Sequence, residues 1–255
     1  METIKNYFFT DMGVMLGRSM RHILRSIDTI ITVTITPIAI MLLLVYVFGG
    51  AIKTGTVNYV NYLLPGILLM AIASGISYAA YRLFIDMQRG ILERFHTMPI
   101  ARSTVLWGHV LTSLVSNAIS VIVIFLVALV MGFRSSAGIL SWLAVVGILI
   151  LFTLALTWIA VIAGLSAKSV DGVSAFSYPL IFLPFISSAF VPTRTMPSIV
   201  RAFAENQPVT PIVETIRALL SNQPVGNEIW VALSWCTGIM LVAYVLAMRT
   251  YRKRV

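Results

Sequence analysis

The sequence predicts an all-α membrane protein: six transmembrane helices, an N-terminal interfacial amphipathic helix, a short cytoplasmic helix after the second span, and a short external re-entrant helix pair before the last span. Three observations carry this reading. Of the 255 residues, 59% are hydrophobic and 11% charged, against about 45–50% and about 25% in soluble domains. The apolar residues fall in six runs free of Asp, Glu, Lys and Arg, each long enough to cross a hydrocarbon core about 30 Å thick at about 1.5 Å rise per residue. Cations outnumber anions 18 to 9 and gather on one side of the membrane that those runs define. The runs show no period-two alternation, so they read as helices rather than barrel strands.

Residues 1–28 come first. Ile4, Phe8, Met12, Met15, Leu16, Met20, Ile23 and Leu24 recur at spacings of mostly three and four, with Lys5, Asp11, Arg18, Arg21 and Arg25 largely off that stripe. Such a helix suits the inner-leaflet interface, its bases against anionic headgroups; a plain solvated helix is the other reading. The segment lacks the short apolar stretch of a cleavable signal.

The spans are Thr29–Phe48, Leu63–Tyr81, Val105–Met131, Ile139–Ala163, Val173–Val191 and Ile229–Met248, a single membrane domain over 29–248 followed by a basic tail at 249–255. The longest connection, Pro192–Glu228, has 37 residues, too few for a soluble catalytic domain. Thirteen of the 18 cations lie on one side: Lys5, Arg18, Arg21, Arg25, Arg82, Arg89, Arg94, Arg102, Lys168, Arg249, Arg252, Lys253 and Arg254. Lys53, Arg134, Arg194, Arg201 and Arg217 lie on the other. The bias predicts both termini in the cytoplasm.

In the loop after the second span, Met87, Ile91, Phe95 and Met98 share a helical face, Arg89 and Glu93 lie on another side, and Pro99 stops the helix. The greasy ridge with charged flanks fits a groove on a cytoplasmic partner or lies flat on lipid. In the external segment, Pro197–Ala204 carries Ile199, Val200 and Phe203. Thr210 is the expected N-cap of a second helix with Pro211 at its first position. Both helices are too short to span; they re-enter the outer leaflet or form a lid above it. Inside the spans, Thr29, Thr32 and Thr36, then Ser74, Ser77, Tyr78 and Tyr81, then Ser177, Tyr178, Ser187 and Ser188 form mildly polar faces. They read either as a lining for an amphiphilic substrate or as helix–helix hydrogen bonding.

Several chemistries are excluded. The spans hold no carboxylate, which ion-coupled transporters retain. No phosphate-cradling Gly-x-x-x-x-Gly-Lys-Ser/Thr pattern occurs, so ATP-driven work needs a second protein. The single Cys236 forms no internal disulfide, and no Cys/His spacing suits zinc. Gly164-Leu-Ser166 and His109 have no motif joining them into a hydrolase. No basic run interleaves with stacking aromatics, which argues against nucleic acid. Cys236 reads as a small hydrophobe, and His22 and His96 as surface residues.

Three stretches resemble the permeases of type-2 ATP-binding-cassette exporters, specifically the daunorubicin-resistance-like subgroup. They are Tyr62-Leu-Leu-Pro-Gly-Ile67, then Arg89-Gly-Ile-Leu-Glu-Arg-Phe-His-Thr-Met-Pro-Ile-Ala-Arg102 with Gly108, then Ser187-Ser-Ala-Phe-Val-Pro192 with Met196-Pro197, Glu205-Asn-Gln-Pro-Val-Thr-Pro211, Glu214 and Arg217. The resemblance implies a multi-pass permease of a bacterial or archaeal cytoplasmic (inner) membrane that exports a drug or other amphiphile. It is not itself an enzyme. It binds no cofactor, and ATP and Mg sit on two copies of a separate ABC ATPase subunit. A second permease copy, as a homodimer, completes it. Arg89, Gly90, Glu93, Arg94, Phe95 and Pro99 then belong to a coupling helix in the ATPase groove, Gly90 allowing close approach, and residues 1–28 to a connecting helix. Thr32, Thr36, Ser77, Tyr78 and Tyr178 line a substrate path at the dimer interface. Phe190, Pro192, Pro208 and Pro211 belong to an external gate. His96-Thr97-Met98 stands where the group commonly has a basic residue and Ser-Leu, so contacts at those positions do not carry over. A lipid or glycan exporter is the alternative within this class, and a non-transport scaffold or channel subunit the alternative outside it.

Overall fold

The computed structural model describes residues 27–49, 58–91 and 102–254. The amphipathic helix predicted for residues 1–28 lies almost wholly outside these residues, as do Glu93, Arg94, Phe95 and Pro99. The described residues are helical with no strand. They form α1 (Ile27–Leu42), α2 (Tyr59–Gln88), α3 (Arg102–Val130), α4 (Ile139–Ser166), α5 (Val170–Ala175), α6 (Ser177–Phe182), α7 (Ser198–Asn206), α8 (Val209–Leu220) and α9 (Glu228–Arg254). Four helices have the length and apolarity to cross a membrane: Tyr59–Gln88, Leu106–Val130, Ile139–Ser166 and Glu228–Lys253. Two apolar stretches, Thr34–Phe48 and Val170–Ile186, are shorter.

α2 is the axis of the bundle. It buries 17 of its 30 residues against α1, α3, α4, α6 and α8. Small residues set the spacing. A Cβ on Gly66 would come within 2.5 Å of the Ala189 Cβ, and one on Gly164 of α4 within 2.8 Å of the Ala80 carbonyl oxygen. Lipid tails are as apolar as leucine, so this burial acts through close packing rather than escape from water. One core cluster joins α2, α3, α4 and α8 around Leu64, Ile67 and Ile216. A second sits at one end of the bundle, where Leu83, Leu106, Trp158, Leu165 and Tyr251 meet. The C-terminal ends of α2, α4 and α9 therefore share one end with the start of α3. The opposite end is closed by α8 and the α3–α4 turn.

The helices overrun the uncharged runs. α2 begins at Tyr59 and reaches Gln88, taking Arg82 and Asp86 with it, and α3 begins at Arg102. A helix continues into the interface until its backbone is capped, whereas charge marks only where the hydrocarbon ends. The caps are resolved. At the end of α3, Gly132 has φ +97° and the Phe133 amide donates to the Ala128 carbonyl. After α8, Asn222 has φ +50°, the Gln223 amide donates to the Ala218 carbonyl at 2.9 Å and the Asn222 amide to Leu219 at 3.3 Å. Both are helix stops with a left-handed residue just past the cap.

Two predicted elements change. Val173–Val191 is not one continuous helix: α5 ends at Ala175, α6 at Phe182, a 3₁₀ turn covers Leu183–Ile186, and Ser187 is extended. Pro179 and Pro184 supply no amide donor and interrupt the ladder. α1 passes from its α-helix into a π-helical turn over Leu43–Phe48, beyond Pro37. A third correction is at Thr210. It does not cap α8, which begins one residue earlier at Val209. Its hydroxyl instead donates to the Ala204 carbonyl and accepts from the Ser188 amide. Pro211, in the third helical position, is tolerated because the first four amides of a helix have no partner inside it.

Candidate functional site

At the basic end of the bundle, the candidate coupling residues begin where α2 stops. Arg89 is exposed, and its amide donates to the Ile85 carbonyl at 3.0 Å. Gly90 has φ +64° and donates to the Met87 carbonyl at 3.0 Å. Gly90 is thus the left-handed residue that ends α2. Met87 consequently packs with the span, against the cluster containing Leu83 and Trp158, and no single helix carries Met87 and Ile91 together, as the spacing predicts. One turn earlier, Asp86 Oδ2 lies 3.4 Å from His109 Nε2 on α3, with both side chains largely covered. This pair pins the end of α2 to the start of α3, directly above the loop. It accounts for His109 as a structural residue.

The candidate substrate-path residues are dispersed. Thr36 and Tyr178 are exposed, on α1 and α6; Ser77 and Tyr78 are half-buried on α2. Tyr78 pairs with Tyr81 at 6.2 Å between ring centroids, and Arg82 lies over it at 5.9 Å. The backbone of Thr32 is in α1; its side chain is outside the described set. The buried polar groups are different ones and join helices. Thr34 Oγ1 donates to Ser120 Oγ at 3.4 Å, linking α1 to α3. Ser113 and Thr157 hydroxyls lie 3.2 Å apart, linking α3 to α4. Asn117, which the sequence reading passed over, donates to the Ser113 carbonyl at 2.9 Å. Its Oδ1 has no conventional partner and lies where a Cβ on Gly75 of α2 would be. The Gly75 Cα–H therefore points at it, a weak donor of the kind common where helices touch. The signal available for it was the single side-chain amide in the uncharged run Val105–Met131.

The candidate gate residues lie on the two segments, 187–192 and the start of α8, that meet through Ser188 and Thr210. Phe190 is buried and Pro211 is buried, while Pro192 and Pro208 are half-buried. The Phe190 ring lies tilted against that of Phe185 at 4.9 Å between centroids, and the Phe190 carbonyl accepts from the Tyr59 hydroxyl at 3.0 Å. Gln207 Nε2 donates to the Ile186 carbonyl and, at 3.4 Å, to that of Leu183. These bonds hold the 3₁₀ turn that follows the broken α5–α6 stretch. The center of the cap is Arg217 of α8. Its guanidinium donates to the Tyr62 carbonyl at 3.1 and 3.2 Å, to that of Ser188 at 2.8 Å and to that of Ala189 at 3.5 Å. It also lies 3.7 Å from the center of the Tyr62 ring. Burial pulls this guanidinium below the usual arginine range, with Tyr62 and Glu214 opposing that shift. Backbone dipoles and a ring face, not a contacting carboxylate, hold the charge. One side chain thereby ties α8, the start of α2 and the 187–190 turn together. Ser135 Oγ donating to the Leu220 carbonyl at 2.8 Å, and Asn61 Nδ2 donating to that of Arg134 at 2.9 Å, complete the closure from the α3–α4 turn. The sequence showed Arg217 as a cation flanked by Ile216 and Ala218, but not its role, because its acceptors are carbonyls distant in the chain.

Among the described residues no group of three or more His, Cys, Asp and Glu side chains could hold a metal. The arrangement is that of a helical bundle closed at one end by α8 and the α3–α4 turn. Over 229 residues, 88% of this chain and 80% of the relative, it is 28% identical to a daunorubicin resistance ABC transporter permease protein, DrrB1, of Streptomyces coeruleorubidus. It is 26% identical over 233 residues, 90% of this chain and 83% of the relative, to the probable doxorubicin resistance ABC transporter permease protein DrrC of Mycobacterium tuberculosis. Residues 10–221 match the family described as ABC-2 type transporter, from before α1 to the end of α8, and the chain belongs to that family.

Proposed function

We propose that this chain is the membrane subunit of an exporter that moves a drug or another amphiphile out of the cytoplasm or inner leaflet, driven by a separate ABC ATPase. The family match across residues 10–221 carries the proposal, and the drug-resistance permeases among its relatives favor a drug over a lipid or glycan precursor. In this reading α1 and the broken α5–α6 stretch complete six spans with the four long helices, and both termini face the cytoplasm of a bacterial or archaeal inner membrane. Two copies enclose the substrate path, with Thr32, Thr36, Ser77, Tyr78 and Tyr178 toward it. The exposure of Thr36 and Tyr178 supports a partner-facing or lipid-facing position for them. Two ATPase subunits carry ATP and Mg and receive the coupling residues Arg89, Gly90, Glu93, Arg94, Phe95 and Pro99.

ATP acts through differential affinity for inward- and outward-open states. Closure of the ATPase pair draws the loop after α2 inward, and the α2–α3 stem clamped by Asp86 and His109 transmits that displacement into the bundle. The cap around Phe190, Pro192, Pro208, Pro211 and Arg217 forms the exit to be opened. The test is co-purification with a candidate ATPase bearing the phosphate-binding pattern, followed by ATP hydrolysis measured over a panel of anthracyclines and lipids. Stimulation by anthracyclines is expected. Stimulation by lipids alone makes the chain a lipid exporter, and failure to retain any ATPase sinks the transport reading.

A further inference from the structure

We infer that the outer face of α4 and α9 is a binding site for an anionic phospholipid, with its acyl chain in an apolar groove and its phosphate on Arg249 and Lys253. The groove has a volume of about 850 Å³. Ile159 and Ile162 of α4 form one wall; Val231, Trp235, Val242 and Leu246 of α9 are among the residues forming the other. Its floor opens at Gly238, where an added Cβ would meet nothing within 4 Å. From Trp230 to Leu246 it runs about 24 Å along the helix axis at about 1.5 Å per residue, longer than the roughly 15 Å that one leaflet contributes to a core about 30 Å thick.

Charge distinguishes the two ends. Val242, Leu246, Arg249 and Lys253 follow at offsets of four, three and four, so the stripe that lines the groove continues into two cations. Arg249 and Lys253 are exposed, with Arg252 beside them, and no ion pair to any of the three occurs among the described residues. Apolar groove and cationic mouth together complement a lipid whose headgroup carries net negative charge. A second copy of this chain fits less well. A two-fold axis along the membrane normal sets like residues against like, bringing Arg249 and Lys253 of one copy toward the same cations of the other.

The inference uses the membrane placement within the proposed function but not the transport activity, so the two fail separately. The experiment takes the purified, delipidated full chain in detergent and adds dioleoyl phosphatidylglycerol or dioleoyl phosphatidylcholine, counting bound lipids by native mass spectrometry. Phosphatidylglycerol is expected to bind at least about five-fold more tightly, the factor that roughly one basic side chain supplies near a membrane surface. R249Q/K253Q is expected to erase the preference, while R201Q, at the other end of the molecule, keeps it. Leu246→Trp and Gly238→Leu, two independent ways of filling the groove, are expected to reduce retention of both lipids. Brominated acyl chains should quench fluorescence in the wild type and quench it less in W230F/W235F. Equal binding of the two lipids, a preference that survives R249Q/K253Q, or quenching unchanged by W230F/W235F overturns the inference. A chain that shows the lipid preference yet retains no ATPase overturns only the proposed function.

Discussion

Replacing Arg217 by Met keeps most of its length and removes every donor, stranding the Ser188 and Ala189 carbonyls and leaving the Tyr62 carbonyl only its place in the α2 ladder. An unpaired buried polar group costs about 1–3 kcal/mol. The expected result for R217M in detergent is therefore a fall of several degrees in melting temperature, at about 2–4 °C per kcal/mol for a chain of this size. R217K keeps the charge but loses the planar fork and should fall between the two; an R217M melt that overlays the wild type refutes the pin. Gly75 and Asn117 make a coupled pair of the opposite kind. Gly75→Ala drives a methyl into Asn117 Oδ1 and should cost about 1–3 kcal/mol, as overpacking does. Adding Asn117→Ala removes the obstacle, so the double variant should recover much of that loss; simple additivity in the cycle would mean the two side chains do not meet. The role of neither Arg217 nor Gly75 is legible in the sequence. Arg217 binds carbonyls more than 25 positions away, and Gly75 matters only because α3 approaches there, so both were beyond what periodicity reveals.

Helix ends separate two explanations of Gly90. A glycine kept for close approach to a partner tolerates no side chain, whereas one kept to stop α2 at φ +64° tolerates asparagine, which visits the left-handed region, better than valine. The expectation is that G90N retains most of the drug-stimulated ATP hydrolysis of the complex and G90V loses it. Equal loss in both would favor the close-approach reading. In α7, the Glu205 carboxyl lies below the usual glutamate range, chiefly through the hydrogen bond from Arg201, 2.7 Å away. Its contribution is present above the unfolded glutamate value and is lost as pH falls through the lowered folded value. The pair is exposed, so the effect is small; E205Q should remove that part of the acid-side decline in helix stability. The long elements were legible in the sequence because uncharged runs and the hydrocarbon thickness share one length scale. What escaped it was local. Prolines at 179 and 184 divided a run of adequate hydropathy, and α8 started before its supposed cap because Thr210 found acceptors and donors outside its own helix.

Across the molecule, the proposed six-span arrangement makes an accessibility prediction. Cys236 is buried and is the only cysteine, so polar thiol reagents should leave the native chain unlabeled. With Cys236 replaced by Ser, a cysteine at Asn222 should label from outside intact cells and one at Arg252 only after permeabilization. Labeling of both positions from the same side would break the proposed topology. The central position of α2 has a bearing on how the chain is made. The helix most enclosed by protein is also the least hydropathic of the four long ones, being rich in the small residues that let its neighbors approach. Lipid is thus the environment it meets least in the finished bundle, yet it leaves the ribosome before α3 and α4. Its partition from the translocon as a lone segment should be the weakest step of biogenesis, and its retention should improve when α3 follows it as a hairpin. Truncations ending after α2 and after α3, scored for insertion by glycosylation mapping, would reveal that dependence.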